Sequence, residues 1–125
     1  MKEDRDRNPQ SRASEEDTPF DVNRLDDDQL QCAAFLAKSL SDGNRLRILL
    51  LLSGGRKSVS AIVEELDLSQ PLVSHHLKEL KRSLLVRVER KGPFIYYELA
   101  DPGILDILRN LSDMATELLS ARKTF

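Results

Sequence analysis

Tryptophan is absent, cysteine occurs once, and glycine and proline contribute five residues each to a chain of 125. The lone Cys32 excludes an intramolecular disulfide and any cysteine-cluster zinc site. No apolar run reaches the roughly 18 residues of a membrane span, so no membrane partner is expected. The opening "MKEDRDRNPQSRASEEDTP" lacks the apolar centre of a secretory signal. Together these absences fit a reducing, cytoplasmic setting. There is also no glycine-rich phosphate loop, no Ser–His–Asp or Cys–His set and no carboxylate pair in apolar surroundings. An enzyme therefore finds no support, and neither a cofactor nor a metal is expected.

What is present is uneven charge. The net charge of −2 divides into −5 over residues 1–31 and +3 over residues 32–125. Within the second part, residues 69–93 carry six basic side chains against Glu79 and Glu89, a net of +4. An acidic total thus leaves room for a basic contact surface, because the local field decides association. Residues 1–24 hold little apolar surface and read as an acidic, disordered tail; residues 25–125 read as one domain.

The apolar spacing of that domain predicts a first helix from near Asp26, carrying Leu30, Ala33, Ala34, Ala37 and Leu40. Asp42 is placed to cap a second, "NRLRILLLLS", whose run Ile48–Leu52 is apolar on every side and so expected to be central. Ser58 caps a short third helix and Ser69 a fourth, with Pro71 in its first turn. Two short helices in tandem, the second polar and basic on one side, have the form of a helix-turn-helix. "LVRVERKGPFIYYELA" alternates about Lys91-Gly92-Pro93 and reads as a two-stranded hairpin. Asp101-Pro102 then opens a last helix with a broad apolar stripe, Ile104 to Leu119. The expected fold is mainly α with a small β-hairpin, α-α-α-α-β-β-α, a winged helix-turn-helix. Its first and last helices are more apolar than so small a domain needs, which predicts a homodimer through Leu30, Ala33, Ala34, Ala37, Leu108, Leu111, Met114, Ala115 and Leu118.

The fourth helix contains adjacent histidines. At about 100° per residue, Leu72, Val73, Leu77 and Leu80 share one arc, and His76 falls inside it. Pro71, Ser74, His75, Lys78 and Arg82 fall on the opposite side. The histidines diverge, and helical chelation needs i,i+3 or i,i+4 spacing, so they form no metal clamp. On the polar side, Gln70 suits adenine, Ser74 a base or phosphate, and His75 a purine acceptor. Lys78, Lys81 and Arg82 suit phosphates. His76 reads as a satisfied packing residue.

"LSDGNRLRILLLL", "SVSAIVEELDLSQPLVSHHLKELKRSLLV" and "RVERKGPFIYYELAD" resemble the ArsR/SmtB family of winged helix-turn-helix repressors, from about Leu40 to Asp101. The resemblance implies a cytoplasmic homodimer that represses transcription from an imperfect palindrome, commonly released by a metal or metalloid. The sensor positions depart from the family. Where arsenic-type members carry three cysteines, this chain has Ser58, Ser60 and Val63 around Val59. Where zinc-type members carry Asp, His, His and Glu, it has Asp101, Gly103, Met114 and Glu117. Leu84 also stands where the family often has glycine, implying a tighter or more buried helix end.

Sequence-specific binding of double-stranded DNA is the leading expectation. The fourth helix, with Ser69 and Pro71 at its start, enters a major groove; Arg90 and Lys91 reach from the wing, and Arg56 and Lys57 add phosphate contacts. The alternative is a winged helix used for protein interaction, with incidental basic charge. Cys32, expected to be a small buried hydrophobe, could otherwise serve a redox or soft-metal input. No small-molecule or metal inducer is evident.

Overall fold

The computed structural model describes residues 24–122. The expected tail lies outside the described residues except for Arg24. The elements are α1 (Asp27–Ser39), α2 (Gly43–Leu51) with a 3-10 turn (Leu52–Gly54), β1 (Lys57–Ser58), α3 (Val59–Leu66), α4 (Gln70–Arg82), β2 (Val86–Lys91), β3 (Phe94–Leu99) and α5 (Gly103–Arg122). The chain divides into two compact units after Gln31. In the first, Asp26 and Gln29 satisfy each other's backbone N–H groups, at 2.8 and 3.0 Å, a reciprocal cap at the start of α1. The second unit holds the core.

Capping residues set the helix starts as the sequence indicates. Asp42 Oδ1 accepts from the backbone N–H of Asn44 and Arg45, at 2.8 and 3.2 Å. The Ser58 hydroxyl accepts from Ala61 and that of Ser69 from Leu72. Asp101 Oδ1 accepts from Gly103 at 2.7 Å, so regular α-helix begins one residue beyond Pro102. Each such cap satisfies a donor the helix itself leaves unpaired.

The core joins Ile48, Leu49 and Leu52 to Ile62 of α3, to Val73, Leu77 and Leu80 of α4, and to Leu85, Val86, Ile104 and Leu108. Two expectations change here. Leu50 is 54% exposed, so α2 is buried on one side rather than all round. Leu108, assigned to a dimer contact, belongs to the chain's own core, because the first turns of α5 pack inward.

The hairpin is present, with Val86↔Leu99 through Lys91↔Phe94 in register. Gly92, at φ 61, takes the left-handed position that a two-residue hairpin loop requires. The sheet has three strands rather than two, in the order β1-β3-β2, with Lys57 opposite Tyr97 and Ser58 opposite Tyr96. Two residues show no alternation, so β1 leaves no local signature.

Leu84 corrects a further expectation. It closes the turn after α4 with φ 66 and is 78% exposed, neither buried nor relaxed. A left-handed conformation costs a branched L-residue about 1–2 kcal/mol, whereas glycine's extra backbone entropy costs about 0.5–1 kcal/mol. Leu84→Gly is therefore expected to leave stability unchanged or raise it by up to about 1.5 kcal/mol. Leu84→Val, branched at Cβ, is expected to lower it. Urea melts of the three proteins decide; a clearly less stable glycine variant contradicts the account.

Candidate nucleic-acid interface

The helix-turn-helix is built from α3, a tight turn and α4. Asp67 sits at φ 54 and its N–H bonds back to Val63, as does the N–H of Leu68 at 3.3 Å. Aspartate tolerates this left-handed position better than most residues, so the chain reverses in two residues. Ser69 then starts α4, and the Ser83 hydroxyl ends it by donating to the Glu79 and Leu80 carbonyls, at 3.2 and 3.1 Å.

The helical division of α4 is seen directly. Val73, His76, Leu77 and Leu80 are buried. Gln70, Pro71, Ser74, His75, Lys78, Lys81 and Arg82 are exposed. The two histidine rings lie 5.5 Å apart, tilted by 55°, and face different surroundings. The hydroxyl of Ser69, included among the contact candidates, is committed to its cap at 3.4 Å.

The basic candidates separate by what holds them. Arg56 pairs with Glu89 at 2.5 Å and lies 5.0 Å over the Tyr96 ring. Lys57 pairs with Glu65 at 3.3 Å, Lys91 with Glu89 at 3.8 Å and Arg82 with Glu79 at 3.5 Å. Lys78, Lys81 and Arg90 have no ion pair among the described residues. Cross-strand register explains the wing: Glu89 and Lys91 alternate with Arg90 and so share the opposite face. Glu89 and Tyr96 are neighbours of the candidate Arg56 that the sequence reading missed. Period-two alternation aligned on Gly92 puts them directly opposite each other.

His76 is 5% exposed. Its Nε2 lies 3.7 Å from Asp42 Oδ1, and its Nδ1 is buried without a hydrogen-bond partner among the described residues. The ring is thus packed as expected, but neither nitrogen makes a hydrogen bond among the described residues, where a satisfied histidine was expected. Burial pushes its pKa below the ordinary 6.5; the Asp42 carboxylate acts in the other direction, and Arg45 and His75 add to the lowering. The backbone N–H of Arg45, then that of Asn44, holds Asp42 below its ordinary 3.8 against some desolvation.

Cys32 is exposed, not buried, in keeping with α1, none of whose residues is buried. No group of three His, Cys, Asp or Glu that could hold a metal occurs among the described residues. Ser58, at a family sensor position, works as the α3 cap.

The family model for bacterial regulatory proteins of the arsR family matches residues 42–88, from the cap of α2 to the first strand of the wing. The transcriptional repressor SdpR of Bacillus subtilis is 45% identical over 62 residues, covering 50% of this chain and 69% of that protein. The arsenical resistance operon repressor of Staphylococcus aureus is 38% identical over 81 residues, 65% of this chain and 78% of that protein. The chain belongs to the arsR family. Two solved structures share the fold of this arsR-family regulator. The homodimeric winged helix-turn-helix DNA-binding domain of a possible ArsR-family transcriptional regulator from Mycobacterium bovis matches with a TM-score of 0.65 at 29% identity, covering 80% of this chain and 90% of that one. NolR from Sinorhizobium fredii matches with a TM-score of 0.64 at 28% identity, covering 78% and 95%. Family and fold are those of winged helix-turn-helix transcriptional regulators, and no described helix is long and apolar enough to cross a membrane.

The stability of the arsR-family chain should depend on pH through His76. With its folded pKa lowered, the unfolded state binds the proton first. Stability is complete above 6.5 and falls as pH drops from 6.5 towards the lowered value. The slope cannot exceed about 1.4 kcal/mol per pH unit for one proton. Asp42, with a lowered pKa, adds a second loss below 3.8. Urea melts at pH 7.5 and 5.5 should show the first loss in the parent and not in His76→Leu; equal losses in both proteins refute the assignment.

Proposed function

We propose that this arsR-family regulator represses transcription in the cytoplasm as a homodimer on a palindromic operator, with α4 of each subunit in a major groove. The observation that carries this reading is the division of α4: four buried residues fix the helix in the core, while Gln70, Ser74, His75, Lys78 and Lys81 stand clear on its outer side. Gln70, Ser74 and His75 read base edges. Lys78 and Lys81, without carboxylate partners among the described residues, take phosphates. Arg90 is the wing residue that reaches DNA, whereas Arg56 and Lys91 spend part of their charge on Glu89. Lys57 and Arg82 are likewise drawn partly to carboxylates. Two-fold symmetry sets half-sites about one helical turn apart.

The dimer is supported by apolar surface that the single chain leaves open. Phe35, Ile107, Leu111, Met114, Leu118 and Leu119 are each roughly half exposed or more. Leu30, Ala33, Ala34 and Ala37 are exposed on α1, and Ala115 is half-buried on α5. Analytical ultracentrifugation of Leu111→Glu and Met114→Glu should show monomers that lose operator affinity.

Selection of duplex DNA from a random pool, followed by anisotropy titrations, tests the assignment. Affinity should fall steeply with salt, and Lys78→Ala should weaken all sequences and reduce the salt slope by about 1. Gln70→Ala or His75→Ala should cost about 1–3 kcal/mol on the selected site and relax preference at one position. Arg90→Ala should cost more than Lys91→Ala. If no duplex is enriched, or the three helix variants are indistinguishable across operator variants, the reading is wrong.

A further inference from the structure

His76 is part of the reading helix and turned away from DNA. Its ring sits in the joint between α4 and the start of α2, where Asp42 does two things. Through Oδ1 it accepts the N–H groups that begin α2, and the same oxygen faces Nε2 at 3.7 Å. Nδ1 points into a buried space that offers no acceptor among the described residues. The charged and titratable groups that act on the ring are Asp42 and Arg45 from the α2 side and His75 on its own helix.

A neutral ring fits this joint. Nε2 faces a carboxylate, and Nδ1 is buried with no partner among the described residues, on a helix that also buries Val73, Leu77 and Leu80. A second proton would place an N–H and a positive charge where nothing accepts them. Asp42 compensates part of that charge, and Arg45 opposes it. Movement of the ring out of the joint is the available relief, and α4 carries the ring.

We propose that His76 is a positioning residue that seats α4 on the start of α2 only while its imidazole is neutral, so that acidification unseats the reading helix and weakens its hold on DNA. The proposal rests on the DNA-binding reading above. The chain has only two histidines, so replacing His75 leaves His76 as its single imidazole.

The test uses the full chain and a duplex selected by it at pH 7.5, titrated by anisotropy at constant ionic strength. In His75→Asn, Kd should rise several-fold between pH 7.5 and 5.5, with a slope below about tenfold per pH unit, the limit for one proton. His75→Asn with His76→Leu should be flat over the same window. Asp42→Asn keeps a good helix cap but removes the charge facing the ring, so the rise should move to lower pH. Linkage requires the reciprocal effect: added duplex should lower the pH at which the His76 ring protons titrate by NMR. A flat or falling Kd in His75→Asn overturns the proposal, as does an NMR midpoint unmoved by DNA. Loss of the folded circular dichroism spectrum at pH 5.5 also overturns it, because the response would then be unfolding. If His76→Leu does not fold, Asp42→Asn and the NMR titration decide. A failure to select any duplex at pH 7.5 removes the DNA-binding reading itself, a different result from binding without pH dependence.

Discussion

The structure depends on one helix being buried on one side and readable on the other. Helix α4 has 13 residues, close to the length below which an isolated helix is marginal in water. Its order therefore comes from Val73, His76, Leu77 and Leu80, which lock it among α2, α3 and the base of the wing. Burying a large aliphatic side chain contributes about 1.5–3 kcal/mol, more than any ion pair on the exposed side. The core thus fixes where Gln70, Ser74 and His75 point. The polar face is left to vary with little cost to the fold.

Charge is placed by the same logic. The second part of the chain is only slightly basic, yet several of its carboxylates are tied locally: Glu65 to Lys57, Glu79 to Arg82, Glu89 to Arg56 and Lys91, and Glu98 to Arg87. Exposed pairs of this kind add about 0–1 kcal/mol each to stability. Their larger effect is on the field, since paired charges cancel at a distance. On α4 and the wing, Lys78, Lys81 and Arg90 are exposed and in no ion pair among the described residues. An acidic isoelectric point and a basic reading surface are therefore compatible in one small chain.

Local signals were legible in the sequence, and contacts between distant segments were not. Asp42, Ser58, Ser69 and Asp101 each announce a helix start because a cap acts over two or three residues. The 3.6-residue period separates His75 from His76 without coordinates. By contrast, β1 exists only because Lys57 and Ser58 meet Tyr97 and Tyr96, about forty residues away. The Arg56–Glu89 pair spans 33 positions, so nothing near Arg56 reveals that its charge is shared. The exposure of Leu50 and the inward turn of Leu108 depend on how α2 and α5 cross, which no periodicity encodes. Leu84 is intermediate. Its departure from glycine was visible, but its left-handed backbone shows only in the folded turn.

In the proposed dimer, helix α5 connects assembly to reading. Its first turns supply Ile104 and Leu108 to the core that seats α4, while Leu111, Met114 and Leu118 further along it stand exposed. Ala33, Leu36, Ala37 and Leu40 line an open groove of about 560 Å³ with Ile104 and Ile107 of α5 and with Leu85, directly after the α4 turn. A second copy of the chain covering this face would press on the element that closes the core beneath α4. In the proposed homodimer, the spacing of the two reading helices and the firmness of each seat then come from one helix. Ile104, Leu108 and Leu85 belong to the same core cluster as Val73, Leu77 and Leu80, so the start of α5 and the seat of α4 are packed as one body.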